Sequence, residues 1–147
     1  MNNNLIKQVQ RRVIKLLKKK DKPLYLLAED NCSELSRLVG CWILEKIPDS
    51  KIFIAKGENV MNLKNKCHDI VLAENYNKVY IIDPTVWQFF KNKRSILIGT
   101  EQDIKRALNN LRNVYKGNWK ISEELGKKDC KQKDEWETII NQNITEL

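Results

Sequence analysis

Over residues 5–17 apolar side chains recur three and four positions apart, at Leu5, Ile6, Val9, Val13, Leu16 and Leu17, while Lys7, Arg11, Arg12, Lys15 and the Lys18–Lys20 run fill other positions. This period predicts an amphipathic helix over about residues 3–20. Pro23 stops it, and PLYLLAED leads into a second helix whose stripe is Leu35, Leu38, Val39, Trp42 and Ile43. Asn31 and Glu34 have the spacing of a capping box, which places Cys32 in the first helical turn. Pro48 lies just past the helix end. The period then changes to two. KIFIAKG, HDIVLAE, KVYIIDP and SILIGT are β-branched, partly alternating runs separated by Asn, Lys and Gly, and they predict four antiparallel strands. Thr100 with Asp103 opens a further helix bearing Ile104, Ala107, Leu108 and Leu111 and closed near Gly117. A last helix lies in KDEWETIINQ, with Trp136, Ile139 and Ile140. Helices flank a central run of strands and no linker or repeat divides the chain, so the expected class is α+β in one domain over residues 1–147, with a sheet of about four strands.

One pair of strands brings candidate chemistry together. If Asn75 and Tyr76 form a two-residue hairpin loop, Leu72 pairs with Val79, Ile70 with Ile81 and His68 with Asp83. One face then carries His68, Ile70, Leu72, Val79, Ile81 and Asp83, apolar along its length and polar at one end. The stripe of the Cys32 helix needs a sheet face to cover, and this one is the obvious candidate. Laid there, the thiol at the helix start would reach the imidazole, giving thiol, imidazole and carboxylate in line.

The composition narrows the alternatives. At 147 residues the chain is long enough to bury a core without disulfide staples. Cys32, Cys41, Cys67 and Cys130 are irregularly spaced with no C-x-x-C pair, so the expectation is four reduced thiols and no structural metal site. MNNNLIKQVQRR lacks the apolar core of a signal peptide, and the longest apolar run, LVGCWIL, is too short to span a bilayer. A soluble, cytoplasmic protein is the expectation, with secretion as an effector or toxin left open. The net charge is +8, but residues 1–22 hold eight Lys or Arg against one Asp, so the basicity is local to the first helix.

A thiol of pKa near 8.5 is mostly protonated at neutral pH, and a helix N-terminus and a neighbouring imidazolium both favour the thiolate. In that arrangement Asp83 would hold the His68 tautomer, His68 would protonate a leaving amine, and the Cys32 N–H would be one oxyanion donor. Asn31 and Gln88 are candidates for the second donor, although Asn31 is equally explained as a plain N-cap. Trp87 could shield the His–Asp contact or belong to the core. Cys67, next to His68 on an alternating strand, points the other way and reads as a bystander.

The order of Cys at a helix start in NCSEL, His opening a strand in HDIVL and Asp ending the next strand in YIIDPT resembles the core of papain-like and transglutaminase-like cysteine enzymes, including the small papain-fold toxin and effector domains of bacteria. The resemblance covers about residues 29–90. It implies a Cys32 nucleophile, a His68 base and an Asp83 orienting acid, acting through a thioester on an amide, with no cofactor or metal. A protein or peptide substrate follows, with deamidation or transamidation of a protein glutamine ahead of proteolysis. The alternative is a non-enzymatic binding module whose basic first helix docks on nucleic acid, an acidic protein or an anionic membrane.

Overall fold

The computed structural model describes residues 1–147. Helix α1 spans Asn3–Leu17, with the Asn2 side chain accepting from the Leu5 N–H at its start, and its stripe of Ile6, Val9, Val13, Leu16 and Leu17 is buried as the spacing requires. A four-residue helix, α2 (Leu24–Leu27), precedes α3 (Cys32–Lys46). Strands β1 (Lys51–Glu58), β2 (Cys67–Asn75), β3 (Lys78–Ile82) and β4 (Leu97–Glu101) follow, then α4 (Ile104–Tyr115), β5 (Asn118–Leu125) and α5 (Lys133–Thr145). The fold is α+β in one domain, with the strands in the order β4-β3-β2-β1-β5 and every neighbour antiparallel. Thr100 lies within β4, and Asp103 alone caps α4, accepting from the Arg106 N–H at 2.8 Å.

The sheet has five strands, one more than the sequence pattern predicts. The fifth, NWKISEEL, is mostly polar, and its register slips by one residue beside Ile54 and Ala55. This bulge falls at Ser122 and reverses the faces along the strand. Trp119 pairs with Gly57 and packs on one side of the sheet, whereas Leu125 pairs with Ile52 and packs on the other. A strand that changes sides midway has no clean period of two.

Alternation divides the remaining strands between two cores. Ile52, Ile54, Val71, Ala73 and Ile82 join the larger core with α1, α3 and α5. Ile70, Leu72, Val79 and Ile81 face the opposite way, against Ala107, Leu111 and Tyr115 of α4. The Cys32 helix therefore does not cover the face that carries His68. It lies on the other side of the sheet, wedged between the strands and helices α1 and α5, which is why it is buried nearly all round rather than along one stripe. A Cβ on Gly40 would stand 2.7 Å from the Leu125 side chain, so α3 lies close on the sheet there and a larger residue would force Leu125 and Ile52 to shift.

The hairpin register also differs from expectation. Its loop is Tyr76–Asn77, both at positive φ as a two-residue type I′ turn needs, and Asn75 pairs with Lys78. Leu72 consequently faces Ile81 rather than Val79, and His68 does not face Asp83. Because partners move by two residues, the same side chains stay on the same face.

Cys41 of α3 and Cys130, just before α5, form a disulfide with Cα atoms 5.5 Å apart, so the expectation of four reduced thiols does not hold and only Cys32 and Cys67 are free. Cysteine usage then gives no argument for a reducing compartment. No helix is long and apolar enough to cross a membrane. The lysine run after α1 is partly engaged within the chain: Lys18 Nζ donates to Lys22 O, Lys19 Nζ to the Asn141 side chain and Lys20 Nζ to Thr145 O at the end of α5. Cations at a helix C-terminus complement its dipole. Since the disulfide links residues 89 apart, replacing Cys41 by Ala together with Cys130 by Ser should lower unfolding stability by about 2–5 kcal/mol with native secondary structure kept. Urea unfolding followed by circular dichroism checks this, and an unchanged midpoint would contradict it.

Candidate active site

Pairing between β2 and β3 stops at Val71 and Ile82, three residues short of His68. Beyond that point Asp83 turns away, its N–H donating to Ile96 O at 2.8 Å, and this end of the hairpin lies open. The start of α3 meets it. Arg37 sets the position of the helix, donating to Asp69 Oδ2 of β2 at 3.0 Å and pairing through Nε with Glu123 of β5 at 2.6 Å, and the Ser36 hydroxyl donates to Asp69 O. Cys32 lies one turn ahead of Ser36. From there its sulfur is near enough to the His68 ring to favour charge on it.

His68 and Asp83 are diagonal neighbours rather than direct cross-strand partners, and diagonal side chains still meet. His68 Nε2 is 2.8 Å from Asp83 Oδ2, and both side chains are fully buried. Asp83 Oδ1 accepts the Thr85 N–H at 3.0 Å, the Asx turn that an Asp-Pro-Thr sequence favours, and the Thr85 hydroxyl at 3.4 Å. Its Oδ2 also accepts the Tyr115 hydroxyl at 2.5 Å. Burial opposes charge on His68, but the Asp83 charge and hydrogen bond, followed by the Cys32 sulfur, outweigh it and push His68 from its ordinary 6.5 up to about 9. Burial, then the negative Asp83, hold the Tyr115 phenol protonated.

With Nε2 committed to Asp83, Nδ1 is the free ring nitrogen. Gln88 lies beside it, its Nε2 3.3 Å from His68 Nδ1 and donating to Thr85 Oγ1 at 2.8 Å. Asn31 is arranged differently. It precedes α3 but its side chain makes no cap: Nδ2 donates to Leu27 O at 2.8 Å, and Oδ1 accepts from Asn143 of α5 at 2.9 Å. The expected capping box with Glu34 is absent, so the first N–H groups of α3, that of Cys32 among them, receive no side-chain cap. Of the two candidate amides, Gln88 adjoins the imidazole and Asn31 is occupied in packing α2 and α5.

The ring is enclosed by aromatics that sequence reasoning did not select. Phe89 meets His68 edge-on with centroids 4.8 Å apart, Tyr115 lies at 5.5 Å and Trp119 at 6.3 Å. Trp87, for which shielding and a core place were both open, belongs to the larger core on the other side of the sheet and donates its indole N–H to Lys93 O. Trp119 reaches His68 across Gly57, which pairs with both residues; a Cβ there would lie 2.5 Å from the indole. Tyr115 and Trp119 belong to the last turn of α4 and to the unforeseen β5, and only their place in the tertiary fold connects them with His68. The glycine in KIFIAKGE was the one signal available, an interior strand glycine marking a close approach.

Cys32 is partly exposed while His68 and Asp83 lie behind it, so the thiol is the outward member of the set. Cys67 is exposed and near Asn65 O, and it makes no contact with the ring. No three His, Cys, Asp or Glu side chains converge as metal ligands would. Comparison with protein-family models, with curated proteins and with solved structures returns no match to this chain.

The raised His68 makes stability depend on pH with a definite sign. A group whose folded pKa lies above its unfolded value contributes stability that is complete below about 6.5 and is lost as pH rises through about 9. Relative to His68→Gln, the native protein should lose on the order of 3 kcal/mol across that window. Parallel urea titrations at pH 6 and pH 10 measure the difference, and equal pH dependence in the two proteins would rule it out.

Proposed function

We propose that this protein is a thiol-dependent acyl-transfer enzyme of the papain-like or transglutaminase-like kind, with Cys32 as nucleophile, His68 as base and acid, and Asp83 as the group that orients His68. The observation that carries the reading is the placement of the chain's only histidine, buried on a fully hydrogen-bonded carboxylate with a partly exposed thiol at a helix start close by. A structural histidine has no need of a thiol on one side and a buried carboxylate on the other. Nucleophilic catalysis needs both.

In the first step the Cys32 thiol passes its proton to His68 and the sulfur attacks an amide carbonyl carbon, the carbonyl electrons moving to oxygen. The uncapped Cys32 N–H and Gln88 Nε2 are the donors available to that oxyanion. The C–N bond then breaks as the imidazolium gives its proton to the departing nitrogen, leaving a thioester. Water or an amine, deprotonated by His68, attacks the thioester and releases Cys32. The favoured substrate is the side-chain amide of a protein glutamine, by deamidation or transamidation, ahead of a peptide bond. The Cys41–Cys130 disulfide suits passage through an oxidising compartment, which secretion as an effector or toxin would supply. The binding-module reading is the weaker one, because Lys19 and Lys20 are engaged with α5.

The two free thiols provide an internal comparison. Iodoacetamide at neutral pH should alkylate Cys32 faster than the more exposed Cys67, and His68→Ala should slow Cys32 alone by about 100-fold. Asp83→Asn should lower turnover of a glutamine substrate by roughly 10²–10⁴-fold with the fold intact. Peptide mapping by mass spectrometry separates the two cysteines. If Cys67 reacts first, or if Cys32 labels equally fast without His68, the reading fails.

A further inference from the structure

Tyr115 occupies the last turn of α4 and arrives at Asp83 from the side of the sheet opposite the helix that carries Cys32. Its hydroxyl sits 2.5 Å from Asp83 Oδ2, the oxygen that His68 Nε2 also engages at 2.8 Å. The four donors divide evenly between the two oxygens. Thr85 takes Oδ1 with both its N–H and its hydroxyl, so the tyrosine and the imidazole share Oδ2. Two donors on one oxygen draw on the same electron density, and each weakens the hold on the other. The tyrosine ring is fully buried against His68, Phe90, Trp119 and Phe89, with centroids 5.4–6.0 Å away, which fixes where its hydroxyl points.

We propose that Tyr115 is a positioning residue of this site, one that orients the Asp83 carboxylate toward His68 and limits how tightly that carboxylate holds the imidazolium proton. It forms and breaks no bond and keeps its own proton throughout. Without its hydroxyl, Oδ2 would direct its whole charge at His68, and the imidazolium would release its proton less readily to a leaving nitrogen. The titratable groups facing the His68–Asp83 pair are Cys32 from α3 and Tyr115 from α4. Strands β1 and β5 present Gly57 and Trp119, and the segment after β3 presents Thr85, Gln88 and Phe89. The rate consequence rests on the acyl-transfer reading. The contact itself does not.

The test uses the single histidine, whose isotope-labelled imidazole gives one NMR titration curve without assignment. In Tyr115→Phe the His68 midpoint should rise by about one pH unit, and it should rise equally in a Cys32→Ser background. In an Asp83→Asn background the same substitution should leave the midpoint unmoved, because the effect passes through the carboxylate. Fluorinated tyrosine at position 115, a stronger donor, should move the midpoint down, and this arm serves if the phenylalanine variant does not fold. A folded Tyr115→Phe protein with lower stability but an unmoved His68 midpoint and tautomer would reduce Tyr115 to packing and overturn the proposal. A moved midpoint in a protein whose Cys32 proves unreactive would leave the positioning role standing and remove only the acyl-transfer reading.

Discussion

A carboxylate with no exposed surface must have its lone pairs filled by the protein, or its burial costs several kcal/mol. Asp83 meets that requirement with donors from three separate parts of the chain: its own turn through Thr85, strand β2 through His68, and the end of α4 through Tyr115. Each donor is thereby fixed. The turn after β3 cannot open, the imidazole cannot rotate, and the last turn of α4 must lie across the end of the sheet. One buried charge thus organises the end of the molecule where the candidate chemistry lies. This explains why a site of few polar groups is surrounded almost wholly by aromatic rings.

Some of this was legible in the sequence and some was not, for identifiable reasons. That His68 and Asp83 share a face follows from alternation alone, and an error of two residues in the register leaves it intact. The placement of α3 is another matter. Its stripe of Leu35, Leu38, Val39, Trp42 and Ile43 implies one covered face, but the helix is buried on nearly every side, and a stripe cannot say which face of the sheet it meets. Strand β5 is hidden by its bulge and its charged residues. Tyr115 and Trp119 stand roughly fifty residues from His68, and no local pattern joins them to it. The Cys41–Cys130 link is equally silent in the spacing of the cysteines.

The two candidate amides illustrate how context divides similar chemistry. Asn31 directly precedes Cys32 and is the more obvious partner by position, yet its carbonyl and amide groups tie α2 to α5 and leave it no freedom. Gln88 is distant in sequence and arrives on the 3-10 turn that follows the Asp-Pro-Thr segment, held by the same Thr85 that anchors Asp83. A single threonine therefore sets the position of both the carboxylate and the amide. Proximity along the chain was the poorer guide here because the residue just before a central helix is drawn into that helix's packing.

Because α3 and α4 cover opposite faces of the sheet, the helix that carries the sulfur packs into one core while the imidazole's aromatic enclosure and Tyr115 belong to the other. Their meeting at the open end of the hairpin measures how those two layers are aligned. A slide of either layer by less than the length of a side chain would part sulfur from nitrogen while leaving both cores packed. On the proposed reading, such a slide would silence the thiol at a far smaller excursion than unfolding. Anything that pries α4 from the sheet, whether heat, a bound protein or a clamp engineered elsewhere on the helix, would act on the chemistry first and on the fold only afterwards.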